Sequence, residues 1–279
     1  MSRVKFDMSG KVILATGAVE RVGRCVLLTA ARAGADVAVT YCEGLGQEGF
    51  AESLIAEVEA MGRRCLVVPA DNRKVSDLMH VMDEVERVYG RLDILVQNAG
   101  NVNVADIHGV TPEIWESSHD CCAKGPAFLT QRAAELMMKN GGGRIFWIAG
   151  DSYFGSDPEF IAHSNGKYSA LRFGQAVAVE YAPYIQCNSI IPYVLLQPHG
   201  TTDDGGFTDH GSDAYLAVRG SAFHNLGGLY KDEVGREWRC GCPEFFTEFL
   251  LFLCECGSGV NGAAIPMDGG YGLTHFRSF

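Results

Sequence analysis

Short apolar runs alternate with helical stripes along most of the chain. Lys11 to Thr16 reads as a strand, and Gly17-Ala-Val-Glu-Arg-Val-Gly23 turns it into a helix carrying Val26, Leu27 and Ala30. Asp36 to Thr40 reads as the next strand. Ala51, Leu54, Ile55 and Val58 then fall at helical spacing, and Arg64 to Val68 is strand again. Leu78, Val81, Met82 and Val85 repeat the stripe before a strand at Leu92 to Gln97. Thr111 and Pro112 supply an N-cap and a first-turn proline for a helical region reaching about Met138. Beyond it the pattern predicts strands at Arg144 to Ala149, Gln186 to Ile190 and Ala263 to Met267, with helices at Tyr168 to Ala182 and Pro243 to Glu255.

Strand and helix alternate throughout, so the pattern predicts an α/β fold built on a doubly wound parallel sheet. No linker, repeat or low-complexity tract divides it, and residues 1–279 read as a single domain. Two stretches break the rhythm. Residues 151–167 form a longer connection than their position needs, read as an insertion, and about 193–238 is a Gly-rich, partly acidic excursion.

Charge narrows the possible partners. With 23 basic and 34 acidic residues the net charge is −11, which argues against nucleic acid and anionic membrane surfaces. No apolar run approaches the roughly 18 residues of a membrane span, and the first residues lack a signal-peptide core, so a cytoplasmic location is expected. The ten cysteines, scattered through predicted helices and strands, then read as free thiols. Cys240-Gly-Cys242 and Cys254-Glu-Cys256 have the wrong spacing for zinc, and no metal is expected. His199, His210 and His224, with Asp203, Asp204 and Asp209, read as solvated loop residues.

The candidate chemistry centres on Tyr168 and Arg172, one helical turn apart on a common face. A phenol titrates near pH ~10 in water, and a fixed cation beside it favours the phenolate. Such a pair makes a usable general acid or base. This stretch resembles the Tyr-x-x-x-Lys of the short-chain dehydrogenase/reductase family, with Arg in place of Lys. Thr16-Gly17-x-x-x-Arg21-x-Gly23 resembles the family's Thr-Gly-x-x-x-Gly-x-Gly, and Asp71-Asn72, Asn98-Ala99-Gly100 and Asp268-Gly-Gly-Tyr271 stand at family spacing. The resemblance covers nearly the whole chain. It implies a Rossmann-type domain, a lid over the substrate at about 193–238, and assembly as a homodimer or homotetramer through the helices of Trp115 and Tyr168.

The resemblance also implies a nicotinamide cofactor held by Gly17, Arg21, Val22, Gly23, Tyr41, Asp71, Asn72, Asn98, Ala99, Gly100, Tyr168, Arg172 and Pro192. A Gly-rich turn between strand and helix lets backbone amides approach a pyrophosphate. Tyr41 replaces the Asp that NAD enzymes of the family use on the ribose, while Glu20 and Glu43 occupy positions where NADP enzymes carry bases. Two carboxylates there oppose a phosphate dianion, so NAD is expected over NADP.

The family tetrad is Asn, Ser, Tyr and Lys. Alignment of Trp115 to Gly125 puts Cys122 at the Asn position. The Ser position falls on Gly150 counting forward, and on Gly155 counting thirteen back from Tyr168. Asp151 and Ser152 lie between and are the candidates to hold a substrate oxygen. Arg172 can supply charge, but guanidinium does not readily lose a proton. The expected reaction is hydride transfer between NAD(P) and a carbonyl or secondary alcohol of a small molecule. Two other readings stand beside it: a silent subunit paired with an active paralogue, and a nucleotide-free enzyme like the halohydrin dehalogenases, which also carry Tyr-x-x-x-Arg.

Overall fold

The computed structural model describes residues 5–150, 159–192, 198–201, 207–209, 229–231, 237–239, 243–256 and 259–267. Strand β1 (Val12–Ala15) leads into α1 (Arg21–Arg32), β2 (Asp36–Tyr41) into α2 (Glu48–Ala60), and β3 (Cys65–Pro69) into α3 (Val75–Tyr89). Then come β4 (Ile94–Gln97), α4 (Pro112–His119), a π-helical turn (Asp120–Lys124), α5 (Gly125–Lys139) and β5 (Gly143–Ile148). After α6 (Ile161–Glu180) and β6 (Ile185–Pro192), two antiparallel ribbons pair β7 (Pro198–Thr201) with β8 (Phe207–Asp209) and β9 (Leu229–Lys231) with β10 (Glu237–Arg239). Helix α7 (Pro243–Glu255) and β11 (Ala264–Met267) follow.

The main sheet has seven strands in the order β11-β6-β5-β4-β1-β2-β3, and every pairing in it is parallel. Strand period splits β1 between two cores: Ile13 and Ala15 pack with α1, α2 and α7, whereas Val12 and Leu14 pack with α3, α5 and α6. Each fully buried Leu, Ile or Phe contributes about 1.5–3 kcal/mol, so the two layers fix the sheet from both faces. Thr111 caps α4 as its sequence implies, its hydroxyl accepting from the Ile114 N–H, and Pro112 opens the first turn. Most of 193–238 lies outside the described residues, as do 151–158 and 268–279.

Two helices differ from expectation. The region expected as one helix from Thr111 to about Met138 is interrupted at Asp120–Lys124 by the π turn, closed by the Gly125 N–H on Asp120 O. Pro126 has no N–H to give, and the Cys121 carbonyl instead accepts from Asn72 Nδ2 at 2.7 Å. The other difference is the start of α6, expected at Tyr168 and found at Ile161. Residues 161–167, read as part of an insertion, are therefore helix. Ser164-Asn-Gly166 has loop composition, but Gly166 lets the helix lie against the π turn: a Cβ there would stand 3.0 Å from Cys122 Cβ and 3.1 Å from Ser118 O.

Gly125 is similarly confined, since a Cβ on it would overlap the backbone oxygen of Asn72. Backbone cannot yield as a flexible side chain can. Gly125→Ala is expected to cost about 3 kcal/mol, the upper end for overpacking. The check is urea unfolding, with a lower midpoint at unchanged slope.

Candidate active site

The order of the sheet reverses between β1 and β4, and in open α/β sheets the ligand crevice lies at that switch, outside the carboxyl ends of the strands. Thr16 knits the two ends together. Its Oγ1 accepts from the N–H groups of Asn98 and Ala99, each at 3.1 Å, while Asn98 Nδ2 donates to the carbonyls of Thr16 (3.1 Å) and Gly17 (2.9 Å). Gly17 sits at φ 57°, and a Cβ on it would press on Ala99. A Cβ on Gly23 would come within 2.6 Å of Ala18 Cβ and 2.9 Å of Asn98 Nδ2. Glycine is required here because the turn packs directly on the loop after β4.

The turn delivers the first N–H groups of α1, from Arg21, Val22 and Gly23, to the crevice, and Glu20 at the N-cap makes no side-chain cap. The N-terminal N–H groups of a twelve-residue helix, with its dipole behind them, suit a pyrophosphate, so these residues fit a dinucleotide. Arg21 departs from that pattern with φ 55°, the left-handed region that L side chains avoid.

After β3, both oxygens of Asp71 accept from Arg73, which holds that carboxyl below its usual range. Asn72 is buried and engaged with the π turn through Cys121 O. Tyr41 ends β2; burial first, then Glu43, Glu48 and Glu52, raise its phenol. Glu20 accepts from Gln47 Nε2 at 2.8 Å. The rim beyond β2 is thus acidic.

On the other side of the switch, α6 presents His163 and Lys167, which neither its motifs nor its periodicity singled out. Lys167 is 9% exposed, and its Nζ donates to Ile148 O at 2.8 Å and Ala99 O at 3.5 Å. Its charge therefore stands at the carboxyl ends of β4 and β5. His163 Nδ1 lies 2.9 Å from Asn101 O and 3.7 Å from Cys122 Sγ. Ala105 N–H donates to Glu159 O at 2.8 Å, which ties the loop after β4 to the entry of α6. Cys122 itself is buried in the π turn. Cys121, donating to it, pulls the Cys122 thiol well below its usual value against the penalty of burial, with His163 and Lys167 adding to the pull. Cys121 is correspondingly pushed up.

The expected pair of Tyr168 and Arg172 does form, Arg172 Nη2 donating to the phenol at 3.2 Å with its guanidinium 5.6 Å from the ring. The pair lies on another face of α6 than Lys167, since successive residues of a helix face about 100° apart, and Tyr168 is 43% exposed. Arg172 also bonds Gln175 there. Asp151 and Ser152 lie outside the described residues. Pro192 closes β6 beside Met267.

Residues 11–203 match the short chain dehydrogenase family, and the chain belongs to that family. It is 27% identical over 266 residues to the L-rhamnose 1-dehydrogenase (NAD(P)(+)) of Sphingomonas sp., covering 94% of this chain and 96% of that one. The D-threitol dehydrogenase of Mycolicibacterium smegmatis is 26% identical over 269 residues, covering 95% of this chain and 94% of that one. A short-chain type dehydrogenase/reductase structure from Mycobacterium marinum superposes with a TM-score of 0.76 at 27% identity, covering 96% and 97%. The chain is an oxidoreductase of hydride transfer between a nicotinamide nucleotide and an alcohol or carbonyl. These relatives do not favour a silent subunit or a nucleotide-free dehalogenase.

Within the family frame, His163-Ser-Asn-Gly-Lys167 has the spacing of Tyr-x-x-x-Lys. One signal for it was present in the sequence: the two counts for the Ser position disagree by five residues, the offset between Tyr168 and His163. Counting thirteen back from His163 gives Gly150, in agreement with the forward count.

Arg21 offers a test of the turn. Its left-handed backbone costs about 1–2 kcal/mol, against about 0.4–1 kcal/mol that glycine loses through a freer unfolded chain. Arg21→Gly is therefore expected to raise stability by up to about 1 kcal/mol in urea unfolding, while NADH affinity measured by fluorescence falls with the loss of a guanidinium near phosphate.

Proposed function

We propose that this chain oxidises a secondary alcohol of a small polyol or sugar with NAD, and runs the reverse reduction. The observation that carries the reading is the Lys167 ammonium, set between the carbonyls of Ala99 and Ile148 where β4 and β5 end, beside the switch point. When bound, the nicotinamide supplies or accepts the hydride. The chain's own part is to hold the nucleotide on the α1 amides and the Asn98–Gly100 loop, with Lys167 placed to hydrogen-bond the ribose on the nicotinamide side. The lid expected at about 193–238 lies mostly outside the described residues.

The preference for NAD rests on the acidic rim beyond β2, where Glu43, Glu48 and Glu52 surround Tyr41. A 2′-phosphate brought there meets like charge. The polyol assignment follows the rhamnose, threitol and glycerol dehydrogenases among its relatives. Homo-oligomer formation is supported by apolar side chains left in water on α5 and α6, with Phe128, Phe173 and Val179 exposed by 47%, 38% and 82%.

In a thermal-shift and fluorescence titration NADH is expected to bind at least about tenfold more tightly than NADPH, roughly 1.4 kcal/mol. A native-state ligand at a hundredfold excess over its dissociation constant adds about 2.7 kcal/mol of stability, so occupancy is visible. NAD reduction followed with L-rhamnose, D-threitol and glycerol tests the substrate class. Failure of both nucleotides to bind would end the proposal; tighter NADPH would reverse the cofactor preference. Sedimentation is expected to show a dimer or tetramer.

A further inference from the structure

Proton transfer at this site needs a group that faces the crevice, and the phenol of Tyr168 does not. Among the described residues His163 stands beside Lys167 at the loop that closes β4. It shares a helix face with Lys167, one turn away, and is only partly buried. The hydrogen bonding defines its tautomer. A backbone carbonyl can only accept, so the 2.9 Å contact with Asn101 O requires the proton on Nδ1. In the neutral ring Nε2 is then bare.

The ring's position follows from Gly100. A Cβ built on that glycine would lie 3.6 Å from His163 Cε1 and 3.3 Å from Lys167 Nζ. The ring edge and the ammonium therefore adjoin the same surface of the loop that closes β4. The absence of a side chain at Gly100 leaves that surface open toward the crevice.

Among the described residues the titratable and charged groups around the ring are few. Lys167 faces it from its own helix, and Cys122, with Cys121 behind it, from the π turn. The stretch Asn98 to Ala105 presents no ionisable side chain, only amides and carbonyls. His119, on α4, is engaged one turn further on with Ser169 at 3.5 Å. The connection 151–158, with Asp151 and Asp157, lies outside the described residues.

We propose that His163, through Nε2, is the catalytic acid/base of this chain, moving the proton of the substrate oxygen while Lys167 holds its charge alongside. The proposal rests on the hydride-transfer reading above. In the oxidative direction the alcohol O–H bond breaks and its proton goes to Nε2. A bound oxidised nicotinamide would take the carbinol hydride as the carbonyl forms, and His163 would return its proton to water. Reduction runs the same steps backwards. Imidazole is the side chain most often used for general acid–base catalysis.

The decisive measurement is histidine-selective nitrogen-15 NMR of the purified chain with and without saturating NADH. The His163 signals are assigned by their absence in His163→Gln, or by through-space transfer to Asn101 if that variant does not fold. The expected result is a proton on Nδ1, a bare Nε2 above the transition, and an Nε2 shift that moves on adding NADH. With the L-rhamnose, D-threitol and glycerol panel, His163→Gln is expected to lower kcat by about 10²- to 10⁴-fold while NADH affinity stays within about threefold. The acid limb of the oxidation pH profile should vanish with it. A proton found on Nε2, an imidazole indifferent to NADH, or turnover kept in His163→Gln but lost in Tyr168→Phe would each overturn the assignment. A wild-type chain that binds neither nucleotide would instead remove the hydride-transfer reading itself, so the two failures are distinguishable.

Discussion

The contact on which the site depends is the approach of α6 to the π turn at Gly166. With hydrogen in place of a side chain, the helix backbone comes to within van der Waals contact of Cys122 and the Ser118 carbonyl. Everything the crevice receives from α6 follows from that depth. His163 reaches Asn101 O, and Lys167 reaches the carbonyls that end β4 and β5. A helix held a methyl group further out would leave both short of the strand ends.

The π turn is the other half of the same contact. Its extra residue widens the helix where Pro126 removes a donor, and Asn72 answers the freed Cys121 carbonyl from the end of β3. Thus the loop after β3, the π turn and α6 form one continuous stack. π turns often mark functional sites because they re-aim one side chain without ending the helix. Here the re-aimed side chain is Cys122.

Electrostatics divides the crevice in two. The nicotinamide end carries a buried ammonium satisfied by carbonyl dipoles, which is costly unless each donor finds an acceptor. The adenosine end carries carboxylates at Glu43, Glu48 and Glu52 near Tyr41. This division is what the proposed preference for a nucleotide with a free 2′-hydroxyl rests on.

Much of the fold was legible in the sequence because burial on both faces of a parallel sheet leaves short apolar runs, and amphipathic helices leave a 3.6-residue stripe. Those signals are local, and so was the pairing of Tyr168 with Arg172: residues four apart on a helix meet whatever surrounds them. Which face of α6 meets the crevice is not a local property. Ser164-Asn-Gly166 favours a loop by composition, and only packing against Ser118 and Cys122 makes it helix. The sequence by itself determined the sheet, the glycine turn and the family. The tertiary structure decided that His163 and Lys167 face inward while Tyr168 and Arg172 face out, because helix rotation is set by the closest backbone approach rather than by periodicity.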